Sequence, residues 1–159
     1  RISGIDFDDM HYNTRPYEKW QAYGQSKTAK SLLAVELQAR YGDQGIEAFS
    51  VHPGGIFTPL QRHLPNEEMV ALGWTTEDGS PSELAAAGFK TPAQGAGTSL
   101  WAATHPALNG LGGVYCEDCN IAVPQAADSQ AYDGVRPWAV DQEMAAKLWD
   151  ITQKAISQA

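Results

Sequence analysis

Tyr23 and Lys27 stand four residues apart in the run Tyr23-Gly24-Gln25-Ser26-Lys27-Thr28-Ala29-Lys30. On a helix that spacing places both side chains on one face, one turn apart. A phenol ordinarily ionises near ~10 and is a poor base at neutral pH. An ammonium beside it favours the phenolate and lowers that value. The pair is therefore suited to take a proton from an alcohol or give one to a carbonyl. Spacing alone is weak support, because Tyr and Lys are common on helix surfaces.

A second candidate is His52-Pro53-Gly54-Gly55-Ile56-Phe57-Thr58-Pro59. It follows the apolar run Ile46–Val51, which reads as a short buried strand. In open α/β sheets ligands bind beyond the C-terminal ends of strands. A Pro-Gly turn there exposes backbone amides and carbonyls that can pair with a cofactor amide, and Thr58 adds a hydroxyl. The plain alternative is an ordinary strand-to-loop turn.

The elements that must position these groups follow from the pattern. Residues 1–16 read as a loop rich in Asp and Asn. Tyr17 to Tyr41 reads as a long helix, with Gly42 and Gly45 closing it. Residues 59–92 contain repeated Pro and Gly, with short helices expected at Glu67–Leu72 and Ser82–Ala87. A connection of this length is commonly a binding loop or lid. A helix at Ala93–Thr104, a strand at Gly112–Cys116, a loop over 117–137 and an amphipathic helix at Ala139–Ile156 complete the chain. Strands joined through helices imply a doubly wound parallel sheet. Two strands cannot close such a sheet, so further strands are expected upstream. The start at Arg1 rather than Met agrees with a chain that begins inside a longer product.

Composition narrows the function classes. Of 159 residues, 11 are basic and 19 acidic, for a net charge of -8. That balance argues against general nucleic-acid binding. No apolar stretch is long enough to span a bilayer, and the opening residues lack the apolar segment of a secretory leader. A soluble cytoplasmic protein is the expectation. No metal ligand set stands out. Cys116 and Cys119 form a C-x-x-C without two further ligands, and His11, His52, His63 and His105 are scattered. Asp6, Asp8 and Asp9 lack the glycine and final glutamate of a calcium loop. Trp74 is the one tryptophan placed to wall a pocket, in the 59–92 segment.

Taken in order, a Tyr-x-x-x-Lys helix, a strand and Pro-Gly-x-x-x-Thr resemble the second half of the short-chain dehydrogenase/reductase family. Ile5-Asp6-Phe7-Asp8-Asp9, Val51-His52-Pro53-Gly54 and Tyr115-Cys116-Glu117-Asp118-Cys119 are similar to its subgroup of retinol dehydrogenases, WW-domain oxidoreductases and bacterial relatives. The resemblance implies that residues 1–159 form the C-terminal part of one Rossmann-type α/β domain. It further implies hydride transfer between NAD or NADP and an alcohol or carbonyl, on a fairly apolar small molecule. Tyr23 would be the general acid/base. Lys27 would tune it and hold the nicotinamide ribose. Pro53 and Gly54 would shape the turn, Ile56 would meet the carboxamide through its backbone, and Thr58 would bind the carboxamide or pyrophosphate region. Residues 59–92 would cover the nicotinamide and choose the substrate. The long helix is a surface for a second subunit in many relatives.

Some of the family's parts have no counterpart here. Gly95-Ala96-Gly97 follows no strand and Gly110-Leu111-Gly112-Gly113 precedes one, so neither is the pyrophosphate-binding turn. The residue that separates NAD from NADP, the catalytic serine and the relay asparagine are not evident. Ser3 sits in the wrong context and Ser26 inside the Tyr–Lys interval. The resemblance therefore leaves open a non-catalytic scaffold of the same fold, or epimerase or dehydratase chemistry on it.

Overall fold

A 23-residue helix, α1 (Lys19–Tyr41), is the longest element of the computed structural model, which describes residues 2–158. It starts two residues later than the Pro16-Tyr17 signal suggests. The carboxylate of Glu18 accepts hydrogen bonds from the amides of Trp20 and Gln21 and so fixes the first turn there. Leu32 and Val35 turn inward and meet Ala145 and Leu148 of the last helix, α5 (Gln142–Ser157), with Ile5 of the N-terminal loop beside them. Arg40 ties the seam. It pairs with Glu36 at 2.6 Å, lies over the Trp149 ring and reaches Asp150.

After α1 a short 3-10 turn runs from Gly42 to Gln44. Gly45, at φ 81°, is the left-handed residue that reverses the chain. The strand that follows, β1 (Ser50–His52), is shorter than the apolar run predicts. Ile46 and Glu47 remain exposed, and Glu47 accepts from the Gly110 amide instead of continuing a ladder. β1 pairs in parallel with β2 (Tyr115–Glu117) in the register Ser50 with Tyr115 and His52 with Glu117. The strand lies later than the Gly112–Cys116 expectation because Gly112 and Gly113 are needed elsewhere. A side chain on Gly112 would collide with Gln38 of α1, and Gly113 sits at φ 85°.

The 117–137 region, expected as loop, also holds β3 (Asn120–Ile121), antiparallel to β2. Sheet order is β1-β2-β3. Between β1 and β2 the chain forms α2 (Asn66–Ala71), α3 (Glu83–Gly88) and α4 (Pro92–Thr104). The three lie within a residue or so of the sequence expectation. Ala102 of α4, with Leu108 just beyond it, packs on Phe49, Val51 and fully buried Cys116 from one side of the sheet. Tyr115 faces the other side, toward Ala122, Val135, Ala139 and Trp138. Helices thus cover both faces of a sheet whose β1–β2 pair is parallel. This is a partial Rossmann-type α/β fold, departing from a purely parallel sheet at β3.

The C-terminal half of α1 is anchored near the beginning of the strands: Gln38 accepts from the Ala48 amide and packs against Gly113. Its N-terminal half therefore lies toward the strands' C-terminal ends, the edge from which Pro53-Gly54 departs.

Candidate active site

Tyr23 is the fifth residue of α1 and is 44% exposed. Lys27, also exposed, reaches back across it, with Nζ 4.9 Å from the ring centroid. The i, i+4 spacing thus brings the phenol and the ammonium onto one face of the helix. Trp20 stands edge-on to the same phenol ring, with centroids 5.7 Å apart at 77°. Lys27 pairs with no carboxylate among the described residues.

The neighbouring face of the helix is closed by the N-terminal loop. A Cβ on Gly24 would come within 2.7–2.8 Å of Ser3 and Ile2, so glycine lets that stretch of chain cross the helix. Thr28 donates its hydroxyl to the Ser3 carbonyl at 2.7 Å. Gln25 accepts from the Asp6 amide and donates to the Met10 carbonyl. Ser3 donates its own hydroxyl to the Gln21 carbonyl, and Ser26 donates to the Tyr23 carbonyl. Both hydroxyls are engaged with the helix backbone.

The loop holds its shape through buried Asp9. Burial opposes its charge, but hydrogen bonds from the Thr14 amide, the Asn13 amide, the Thr14 hydroxyl and the Arg15 amide outweigh that. The carboxyl is brought down to about 2.

Beyond β1, Gly54 adopts φ 92°, and a Cβ there would strike the Lys90 side chain. Lys90 in turn pairs with Asp118 in the β2–β3 turn. Its amide donates to the Gly55 carbonyl, joining the two ends of the 59–92 excursion. Ile56 packs its side chain where Gly95 of α4 has none, since a Cβ on Gly95 would collide with it. The Ile56 carbonyl accepts from Gln61. Thr58 caps the 3-10 turn Pro59–His63, accepting from the Leu60 amide and donating to Gln61. Thr58 and Gln61 form a reciprocal capping box.

Other candidates fall out differently. Cys116 is buried in the core, where burial pushes its thiol up, and Cys119 is exposed in a turn at φ 55°. Trp74 packs edge-on to Phe89, which in turn stacks on Phe57, so it belongs to the excursion's own aromatic cluster.

Two further residues lie near the pair, and of these Glu68 carries no sequence signal. Tyr115 is pushed up to about 12, first by burial and then by its nearness to Glu117 and Tyr23. Glu68 of α2 accepts from Trp20 Nε1 at 3.1 Å and pairs with Lys19 at 2.5 Å. The excursion is thereby tied to the first turn of α1.

No protein-family model matches the chain. Three relatives bear on it. A probable oxidoreductase of Streptomyces lividans is 41% identical over 153 residues, covering 96% of this chain and 50% of its own length. The short-chain dehydrogenase/reductase prx1 of Penicillium roqueforti is 41% identical over 156 residues, covering 98% and 44%. Retinol dehydrogenase 14 of Homo sapiens is 32% identical over 158 residues, covering 96% and 40%. The chain thus spans half or less of the length of these relatives.

Proposed function

This chain belongs to the short-chain dehydrogenase/reductase family, and from that premise we propose that it supplies the proton-transfer side of an NAD(P)-linked alcohol/carbonyl oxidoreductase. The observation that carries the reading is the exposed Tyr23–Lys27 pair at the edge of the sheet from which the Pro53-Gly54 turn leaves.

The residues present fit the nicotinamide end of a dinucleotide. Lys27 offers an ammonium engaged by no carboxylate among the described residues, suited to ribose hydroxyls. Gly54 keeps the turn free of a side chain at a left-handed position, and Thr58 is an exposed residue whose hydroxyl also caps the Pro59–His63 turn. Gln61 already occupies the Ile56 carbonyl, so a carboxamide would compete with it there. None of these residues forms a glycine-rich pyrophosphate turn. The open edge of β1 is proposed to continue into further strands that bring it.

When bound, the cofactor accepts or supplies the hydride at its nicotinamide ring. In the oxidation direction the alcohol carbon loses a hydride while its hydroxyl proton passes to the Tyr23 oxygen. In reduction Tyr23 returns that proton to the nascent alkoxide. Lys27 keeps positive charge over the phenol ring as the charge on its oxygen changes. Residues 59–92 cover the substrate, and their Trp74 and Phe89, clustered with Phe57 just before them, suit an apolar one.

The test is a turnover screen of the full-length protein with NADH and NADPH against broad alcohol, aldehyde and ketone panels, with Lys27→Met alongside. Turnover on at least one substrate is expected, with kcat/KM lowered roughly 100-fold in the variant, as for loss of a preorganised charge. Cofactor binding without turnover across the panels would favour a scaffold. Full activity in Lys27→Met would remove the pair from the mechanism.

A further inference from the structure

Helix α2 has only six residues and none of them is buried. Core packing does not hold it. Asn66 ties it to Thr75 and Glu77 within the 59–92 segment, and Glu68, whose side chain is 18% exposed, ties it to α1, with one oxygen on Trp20 Nε1 and the other on Lys19 Nζ. These contacts join residues 48 and 49 positions apart and connect the 59–92 segment to the helix that carries Tyr23. Trp20 then presents its edge to the Tyr23 ring, and Lys27 covers that ring. Glu68, Trp20, Tyr23 and Lys27 form one continuous series of contacts.

We propose that Glu68 is a positioning residue, a latch that fixes the substrate-covering segment on the first turn of α1, next to Tyr23. The proposal rests on the functional reading above. The Trp20 contact dominates. It is a charge-assisted hydrogen bond from a partly buried indole, whereas Lys19 is 55% exposed and its ion pair is screened. The substitutions should therefore rank by whether an acceptor for the indole survives. Glu68→Gln keeps an acceptor. Glu68→Ala keeps none. Trp20→Phe keeps the ring edge against Tyr23 and removes the donor.

Two measurements on the full-length protein test this. Amide hydrogen exchange without substrate should rise across 59–92 in Glu68→Ala and Trp20→Phe, with α5 unchanged and Glu68→Gln close to wild type. In steady-state kinetics Glu68→Ala and Trp20→Phe should each raise KM about tenfold with kcat within about threefold, and the double variant should be no worse than either alone. Glu68→Gln should stay within about threefold of wild type in KM. Wild-type exchange across 59–92 in Glu68→Ala overturns the latch, whatever the kinetics. Raised exchange with unchanged KM overturns its role toward substrate. If the full-length protein transfers no hydride at all, the functional reading fails, and the exchange experiment still decides whether the latch exists.

Discussion

The α1–α5 pair and the 59–92 excursion hold together by different means. The helix pair shares an apolar seam in which Leu32, Val35, Ala145 and Leu148 are buried. The excursion has two short helices, of which only α3 buries a residue, Ala85. It relies on caps such as Ser82 and Thr58, on the cluster of Phe57, Trp74 and Phe89, and on the Glu68 contacts. The proton-transfer candidates sit on the stiff partner and the proposed selecting surface on the loose one. Chemistry needs fixed geometry, whereas a segment that admits and releases substrate needs a low local stability.

The contrast breaks most visibly at Leu32, which is fully buried in the seam. Leu32→Ala in the full-length protein should cost about 2–5 kcal/mol of unfolding free energy in a denaturant titration, through lost burial and the cavity left behind. A loss under ~1 kcal/mol would mean that the seam does not govern stability.

A smaller effect sharpens the picture on the N-terminal side, where the loop clamps α1 beside Tyr23. Asp9 has its folded value lowered from 3.8 to about 2. Its contribution is therefore fully present above 3.8 and is lost as pH falls through about 2. The amides of Asn13, Thr14 and Arg15, which donate to Asp9, should exchange faster as pH drops through that window, after correction for intrinsic rates. Asp9→Asn should show fast exchange already at neutral pH and no extra change on acidification. Equal pH dependence in both proteins would show that another group holds the loop.

Much of this arrangement can be read in the sequence where one local rule dominates. α1 follows from its Ala and Leu content, α4 from the Thr91 cap and Pro92, and the short α2 and α3 from breakers around them. β1 is shorter than its apolar run because such a run says that a segment is buried, not that a ladder partner runs its full length. β3 is hidden in the sequence because its turn uses Asp118 and Cys119 at φ 50° and 55°. Tight hairpins that need two left-handed residues usually announce themselves with Asn-Gly or Asp-Gly. Gly24 lies inside the motif, yet its role, passage of Ile2 and Ser3 across the helix, exists only in three dimensions. The same holds for Glu68, whose partners lie 48 and 49 residues away. The Tyr23–Lys27 pair is legible because a single helical turn brings it together. Thr58 serves as a local cap, a use that the Pro-Gly-x-x-x-Thr spacing does not reveal.

Single-turnover hydride transfer by Tyr23→Phe in the full-length protein, with NAD(P)H binding measured in parallel, probes the phenol oxygen itself. Phenylalanine keeps the ring against Trp20 and Lys27 and removes only that oxygen. Binding within about threefold of wild type, with transfer slowed at least ~100-fold, is the expected result. Transfer at the wild-type rate with the cofactor bound would contradict the assignment of Tyr23 as the group that moves the proton.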